Sequence, residues 1–316
     1  IAKRNLDFIN RCCFDAEDGR MWFHVTRDGR PIRKRRYAFT ESFAAIAFGE
    51  MAKATGNDDY ARQAEACFTE FVNQSRNPQG GSPKFEKTRP ARSIGFPMIT
   101  LVTAQQLRES IGLESAEQWI DQAIAVIRND FWKPDLNCVM ETIGIAGELL
   151  PGFDGRTLNP GHAIEAAWFI MNEGRIREDT ELIEQGCAML NAMWLRGWDK
   201  EYGGLLYFTS SDYKPIQEYW QDMKFWWPHN EAIIATLMAY QLTGHQKYAD
   251  WHQQVNRWAH QHFADPEFGE WFGYLRRDGA VVTELKGNLW KGPFHLPRMQ
   301  LICWDLLAEP RSMAVD

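Results

Sequence analysis

The 316-residue chain lacks several features that would place it in a specialised class of protein. It contains no apolar run of the roughly 18 residues that are needed to cross a bilayer, which argues against a membrane partner. It also lacks an excess of basic residues, because its formal net charge is −7. Binding to a phosphate backbone needs a basic face, so nucleic acid is excluded as a partner.

Several short motifs are also missing. The six cysteines form no C-x-x-C pair, and Cys12 and Cys13 are adjacent, which predicts reduced and mostly buried thiols in a cytoplasmic enzyme. The chain has neither of the glycine-rich patterns G-x-x-x-x-G-K-[ST] and G-x-G-x-x-G that bind nucleotides, and no G-x-S-x-G elbow. These absences exclude the standard nucleotide loops and the serine-hydrolase elbow.

The composition is that of an ordinary globular protein that is rich in aromatic side chains. Hydrophobic residues make up 45% of the chain, aromatic residues 13%, and there are 14 tryptophans. Large rings often line carbohydrate sites, but they more often form the core. A loop with an aromatic residue, Asp, Gly and an aromatic pair recurs at intervals of roughly 55 to 67 residues. It occurs at 14–23, 77–81, 131–135, 198–207 and 263–274.

The segments between these loops have helical spacing of apolar residues, and each interval holds two helices. Glycines at 112, 174 and 244 are interpreted as helix stops. No linker divides the chain, which predicts one all-α domain over 1–316, a closed toroid of helical hairpins in preference to an open solenoid. The chain opens inside a helix-like segment, so we expect preceding residues to be missing. The predicted helices pair 37–55 with 58–76, 94–111 with 115–130, 160–174 with 178–196, and 226–243 with 246–262, and a last helix covers 297–307.

Three histidines stand beside prolines at predicted helix starts, namely His162, His229 and His295. All three helices are the same member of their hairpins, so a toroid places these side chains on one rim. A helix N-terminus carries partial positive charge, which favours the neutral imidazole that a general base needs and stabilises a nearby oxyanion. A structural role and a metal site are the alternatives. No H-x-x-x-H or H-E-x-x-H spacing holds two histidines on one helix, so we predict no metal.

Three charged residues are weaker candidates for the same site. Glu165 follows His162 by three residues and shares its helix face. Arg36 opens an inner helix at the end of a basic run that is otherwise a solvated surface. Glu270, in a glycine-flanked aromatic loop, either hydrogen-bonds sugar hydroxyls or is structural.

Long motifs in the chain resemble those of the N-acylglucosamine 2-epimerases, whose mammalian members are also called renin-binding proteins. The resemblance covers nearly the whole chain and includes Thr26-Arg27-Asp28-Gly29-Arg30-Pro31 and Phe39-Thr40-Glu41. Its main motifs are NPGHAIEAAWF at 159–169, KFWWPHNEA at 224–232, DPEFGEWFGYL at 265–275 and KGPFHLPR at 291–298.

The resemblance implies an (α/α)6 barrel that reversibly epimerises C2 of an N-acylhexosamine, interconverting N-acylglucosamine and N-acylmannosamine. His229 and His295 match the family's acid/base pair, while His162, Glu231 and Glu270 match pocket positions. We add Glu165, Trp227 and Arg36 as candidate substrate-binding residues, with the Trp227 indole against the sugar.

The resemblance also implies that the chemistry needs no cofactor, that ATP activates some members without being consumed, and that homodimers are frequent. An active-site arginine of the family lies in a stretch upstream of this sequence, so it is not assigned here.

Three alternative functions stay open from the sequence. A related enzyme could be an aldose–ketose isomerase or a 2-epimerase of mannose, glucose or another non-acylated sugar, through the same enolate. A glycoside hydrolase would use two carboxylates among Glu165, Glu231 and Glu270. A non-catalytic binding protein is the third.

Overall fold

The computed structural model describes residues 1–34, 38–76 and 85–308, and helices dominate this part of the chain. Within it, no helix is both long and apolar enough to span a membrane. The α-helices are α1 (Ala2–Cys12), α2 (Phe39–Thr55), α3 (Asp58–Arg76), α4 (Gly95–Ile111), α5 (Ala116–Val126), α6 (Gly152–Arg156), α7 (Pro160–Arg177), α8 (Thr180–Gly197), α9 (Trp226–Thr243), α10 (Gln246–Phe263) and α11 (His295–Ala308).

The strands are two or three residues long and lie in the loops that join the helices. They are β1 (His24–Val25), β2 (Pro31–Arg33), β3 (Arg92–Ser93), β4 (Trp132–Lys133), β5 (Cys138–Val139), β6 (Thr142–Ile143), β7 (Thr157–Leu158), β8 (Thr209–Ser210), β9 (Lys224–Phe225) and β10 (Tyr274–Leu275). Antiparallel pairs form between β1 and β2, β4 and β5, β7 and β8, and β9 and β10.

Backbone contacts divide the chain into two compact units, Ile1–Arg128 and Asn129–Asp316. The single domain over 1–316 stays a prediction. In the first unit, α2 packs against α3 and α4 packs against α5, so the predicted hairpins are present, and α2 also contacts α4.

The second unit contains the hairpins α7–α8 and α9–α10, and α9 packs against both α7 and α11. Every residue of α9 from Trp226 to Ala239 is buried, whereas α10 buries only one stripe of its surface. A helix that is apolar all round belongs in a core, so α7 and α9 form the inner layer and α8 and α10 the outer one.

The helices agree with the sequence predictions to within about three residues, apart from two differences. The last turn predicted for α5 is a π-helical turn, Ile127–Phe131. Gly174 was expected to end α7, but the helix continues to Arg177 and ends at Glu178, which adopts a left-handed conformation. A Cβ on Gly174 would lie 2.8 Å from the Ile183 side chain of α8, so this glycine serves close helix packing.

Three of the recurrent loops have the same backbone geometry. In each, the N–H of an Asp donates to the carbonyl five residues later, and an isolated β-bridge follows the Gly, as the sequence predicted for tight turns with short strands. A lysine binds each of the three carboxylates. The loop at 77–81 lies outside the described residues. The three Asp–Lys pairs are Asp15–Lys34, Asp199–Lys224 and Asp265–Lys286.

Candidate active site

The first turns of the inner helices bring the candidate side chains together. Asn159 caps α7, because its Oδ1 accepts from the N–H of His162 at 3.2 Å, and Pro160 occupies the first helical position. A Cβ on Gly161 would lie 2.6 Å from the ring of Trp227 in α9. Only glycine fits this contact, which seats the Trp227 indole against the start of α7.

Two imidazoles in this region are each held by a carboxylate. The Nδ1–H of His162 donates to Oε2 of Glu141 at 2.9 Å, and the Nδ1–H of His295 donates to Oε1 of Glu231 at 2.8 Å. The side chains of His162 and His295 are 31% and 22% exposed, so a substrate can reach both. A carboxylate at Nδ1 fixes the proton there and makes Nε2 the basic nitrogen of the neutral ring.

Both imidazoles contact the same indole. The ring centroid of Trp227 lies 5.0 Å from that of His162 and 5.6 Å from that of His295, with interplanar angles of 34° in both cases. Trp227 therefore packs against both histidines, and its role as a substrate-binding residue stays a prediction.

A buried ion-pair network lies beside His295. Nη2 of Arg298, one turn after His295 in α11, lies 2.7 Å from Oε1 of Glu231 and also donates to Glu165. Nε1–H of Trp168 donates to the second oxygen of Glu231 at 2.9 Å. The network joins the N-terminal halves of α7, α9 and α11.

The charges in this network hold one another in the ionised state. Burial alone would raise the pKa of Glu231, but the Arg298 guanidinium and His295 outweigh it and keep that pKa well below its usual range. Burial opposes the charge on Arg298 as well, yet Glu231 and Glu165 raise its pKa. The buried carboxylate of Glu231 is therefore ionised at neutral pH and is available to an imidazolium at His295.

Glu165, Glu231 and His295 also have the spacing of metal ligands, since their ligand atoms lie within 4.8 Å of one another. The guanidinium of Arg298 bonds both carboxylates, so a positive charge of the protein already lies between them. This arrangement favours an ion-pair role for the three residues over metal binding.

The structure contradicts the prediction that His229 is one of the two acid/base groups. Its side chain is completely buried, and both ring nitrogens bond the main chain. Nδ1–H donates to the carbonyl of Phe225 at 2.6 Å, and Nε2 accepts from the N–H of Leu205 at 2.9 Å. Neither nitrogen has a lone pair or proton left for a sugar, so His229 is structural.

A second loop with the same geometry shows what His229 does. Leu205 forms the isolated bridge after the Asp199 turn, and Met21 has the same place after the Asp15 turn. The N–H of Met21 donates to Oε1 of Glu41, in the first turn of α2, at 3.0 Å. His229 and Glu41 therefore perform the same task, which is to accept a hydrogen bond from the bridge residue of the preceding loop.

Glu270 and Arg36 are the two remaining residues that the sequence predicted for the site. Glu270 binds Lys291 through both oxygens at 2.7 Å and adopts a left-handed conformation (φ 64°). Its role in the sugar pocket stays a prediction. Arg36 lies outside the described residues, and its role also stays a prediction.

Two residues of the cluster were missed by the sequence reasoning. Arg298 was part of a recognised motif, and its position three residues after His295 on a helix was a usable signal. Glu141 precedes His162 by 21 residues and lies outside any helix, so no local spacing indicated it.

The chain is similar to known proteins of one enzyme family. A family model described as N-acylglucosamine 2-epimerase (GlcNAc 2-epimerase) matches residues 142–295. The N-acylglucosamine 2-epimerase of Bos taurus is 38% identical over 296 residues, which cover 90% of this chain and 68% of the bovine protein. That of Homo sapiens is 35% identical over 316 residues, covering 97% of this chain and 73% of the human protein.

The chain belongs to the N-acylglucosamine 2-epimerase family. This membership confirms the predicted family and the enzyme class, a carbohydrate epimerase. Among solved structures, the cellobiose 2-epimerase of Bacillus thermoamylovorans superposes with a TM-score of 0.82 at 17% identity, over 96% of this chain and 80% of that one. This similarity confirms the predicted all-α fold class, the α/α toroid built of helical hairpins.

Replacing His229 by Gln tests the structural interpretation. The Gln side-chain oxygen can accept from the N–H of Leu205, so we expect kcat/KM within about threefold of wild type and a loss of stability of about 1 kcal/mol. His229→Leu leaves that buried N–H without an acceptor and should cost about 1–3 kcal/mol. Steady-state kinetics and urea unfolding measure both; inactivity of a folded His229→Gln variant would restore His229 as an acid/base group.

The His229→Gln variant should also change how the stability of the protein depends on pH. Burial lowers the pKa of His229 from 6.5 to about 3, so the folded protein keeps the ring neutral where the unfolded chain protonates it. The stabilisation is complete above about pH 6.5 and falls as the pH drops towards 3. Between pH 7 and 5 the wild type should lose about 1–2 kcal/mol more unfolding free energy than His229→Gln. Equal losses in urea titrations would contradict the buried neutral ring.

Proposed function

We propose that this family member interconverts N-acylglucosamine and N-acylmannosamine at C2, with His162 and His295 as the two acid/base groups. The observation that carries the proposal is the pair of accessible imidazoles, each bonded to its own carboxylate and both in contact with Trp227. His162 thus takes the role that the sequence analysis gave to His229.

The chemistry follows from the acidity of hydrogen next to a carbonyl. The sugar ring opens first, so that C1 becomes an aldehyde. Nε2 of one neutral histidine takes the C2 proton, and the electron pair of the C2–H bond forms a C1–C2 double bond as the charge moves to the C1 oxygen. The other histidine, protonated at Nε2, returns a proton to the opposite face of C2. One proton leaves and one returns, so no oxidant or reductant is needed.

The surrounding charges suit an enolate intermediate. Two carboxylates, Glu165 and Glu231, face the Arg298 guanidinium, and an imidazolium at His295 balances their remaining charge. A developing oxyanion therefore meets no net negative charge from this network. The N-termini of α7 and α11 add partial positive charge close to His162 and His295.

The choice of an N-acylated sugar rests on the bovine and human relatives, which carry that substrate in their names. The indole of Trp227 is buried and contacts both imidazoles, so it supports the two histidines, and a direct contact with the sugar stays a prediction. The isomerisation or epimerisation of a non-acylated sugar uses the same enolate and is the alternative.

Several further properties stay predictions from the family resemblance. They are chemistry that needs no cofactor, activation by ATP that is not consumed, a homodimer, and a cytoplasmic location.

Solvent exchange with a panel of sugars tests the proposed function. The enzyme is incubated in D₂O with N-acetylmannosamine, mannose or glucose, and the C2 hydrogen is followed by NMR. We expect N-acetylglucosamine deuterated at C2 to accumulate from N-acetylmannosamine, because the product proton comes from the enzyme and solvent. Turnover of only the non-acylated sugars would contradict the proposed substrate, and deuterium at C1 of a ketose product would indicate the isomerase.

A further inference from the structure

The two histidines are held by carboxylates of different character. Glu231 is completely buried and shares its charge with Arg298 and with the indole N–H of Trp168, besides His295. Glu141, outside the helices, is 18% exposed and accepts a hydrogen bond from Nδ1–H of His162 at 2.9 Å. Nothing in the sequence motifs pointed to Glu141.

Glu141 also lies among the aromatic side chains of the site. Burial raises the pKa of Tyr207, and the charge of Glu141 raises it further. The ring of Tyr207 in turn meets that of Trp227 edge-on at a centroid distance of 6.1 Å. The carboxylate, the phenol, the indole and the His162 imidazole therefore form one cluster on the His162 side of the site.

We propose that Glu141 is the positioning residue of His162: its carboxylate fixes the proton on Nδ1 and so keeps the basic Nε2 directed at C2 of the sugar. The inference rests on the proposed function, since it assigns His162 a proton to transfer. Glu141 acts through His162 and touches no reacting atom. Glu141 holds the Nδ1 proton of His162 in the same way that Glu231 holds the Nδ1 proton of His295.

Replacement of Glu141 by Gln removes the charge and lets the side-chain amide donate to Nδ1, which favours the wrong tautomer of the ring. The loss of one charge-assisted hydrogen bond corresponds to a roughly 10- to 100-fold lower kcat, and KM should stay within about twofold. Glu148→Gln is the matched control. That carboxylate lies in the same segment and bonds the main-chain N–H of Ala146, so its loss should leave both constants within about twofold.

Single-histidine backgrounds show whether Glu141 acts through His162. In His295→Asn, His162 is the remaining base and should still exchange the C2 hydrogen of one epimer with D₂O. Adding Glu141→Gln to this background should lower that exchange by roughly 10- to 100-fold. Adding it to His162→Asn, where the partner of Glu141 is gone, should change the exchange by less than about twofold.

Equal losses in the two backgrounds would show a general structural role and overturn the proposal, as would unchanged exchange in the His295→Asn background. Glu141→Asp keeps the charge on a shorter side chain and should exchange faster than Glu141→Gln; equal rates for these two variants would also overturn it. These results are separate from a failure of the proposed function, in which the wild type itself would exchange no C2 hydrogen of any sugar tested.

Discussion

The ion pairs of Arg298 with Glu165 and Glu231 are the interaction on which the site depends. They join α7, α9 and α11, the three helices whose first turns hold His162, Trp227 and His295. Removal of one partner from such a buried network leaves an uncompensated charge, which typically costs about 3–5 kcal/mol. The network therefore holds the N-terminal halves of these three helices in place relative to one another. It also keeps Glu231 ionised beside His295.

The three histidines at the helix starts differ in their burial and in the hydrogen bonds that their rings make. Both ring nitrogens of His229 form hydrogen bonds with the main chain. One of these bonds holds the loop before α9, as the bond from the N–H of Met21 to Glu41 holds the loop before α2. His162 and His295 each bind a carboxylate through Nδ1 and remain partly exposed. A repeated architecture thus provides equivalent positions, of which one is structural and two hold the imidazoles that we propose as acid/base groups.

Helical periodicity predicted the hairpins because apolar spacing and helix stops such as Gly112 and Gly244 are local signals. The same signals placed the three histidines at helix starts. They did not separate His229 from His162, because the N–H of Leu205, 24 residues before His229, reaches its ring only through tertiary packing. The prediction that Gly174 ends α7 was wrong for a similar reason. This glycine is required by the close contact with Ile183 of α8, which the local sequence does not show.

The central claim is that His162 and His295 serve opposite faces of one carbon. The most direct measurement follows C2 hydrogen exchange in D₂O for His162→Asn and His295→Asn, with each of the two epimers as substrate. Neither variant should interconvert the epimers, and each should exchange the hydrogen of one epimer only, a different one for each variant. If both variants exchange the same epimer, or if either still epimerises at the wild-type rate, the two-histidine account is wrong.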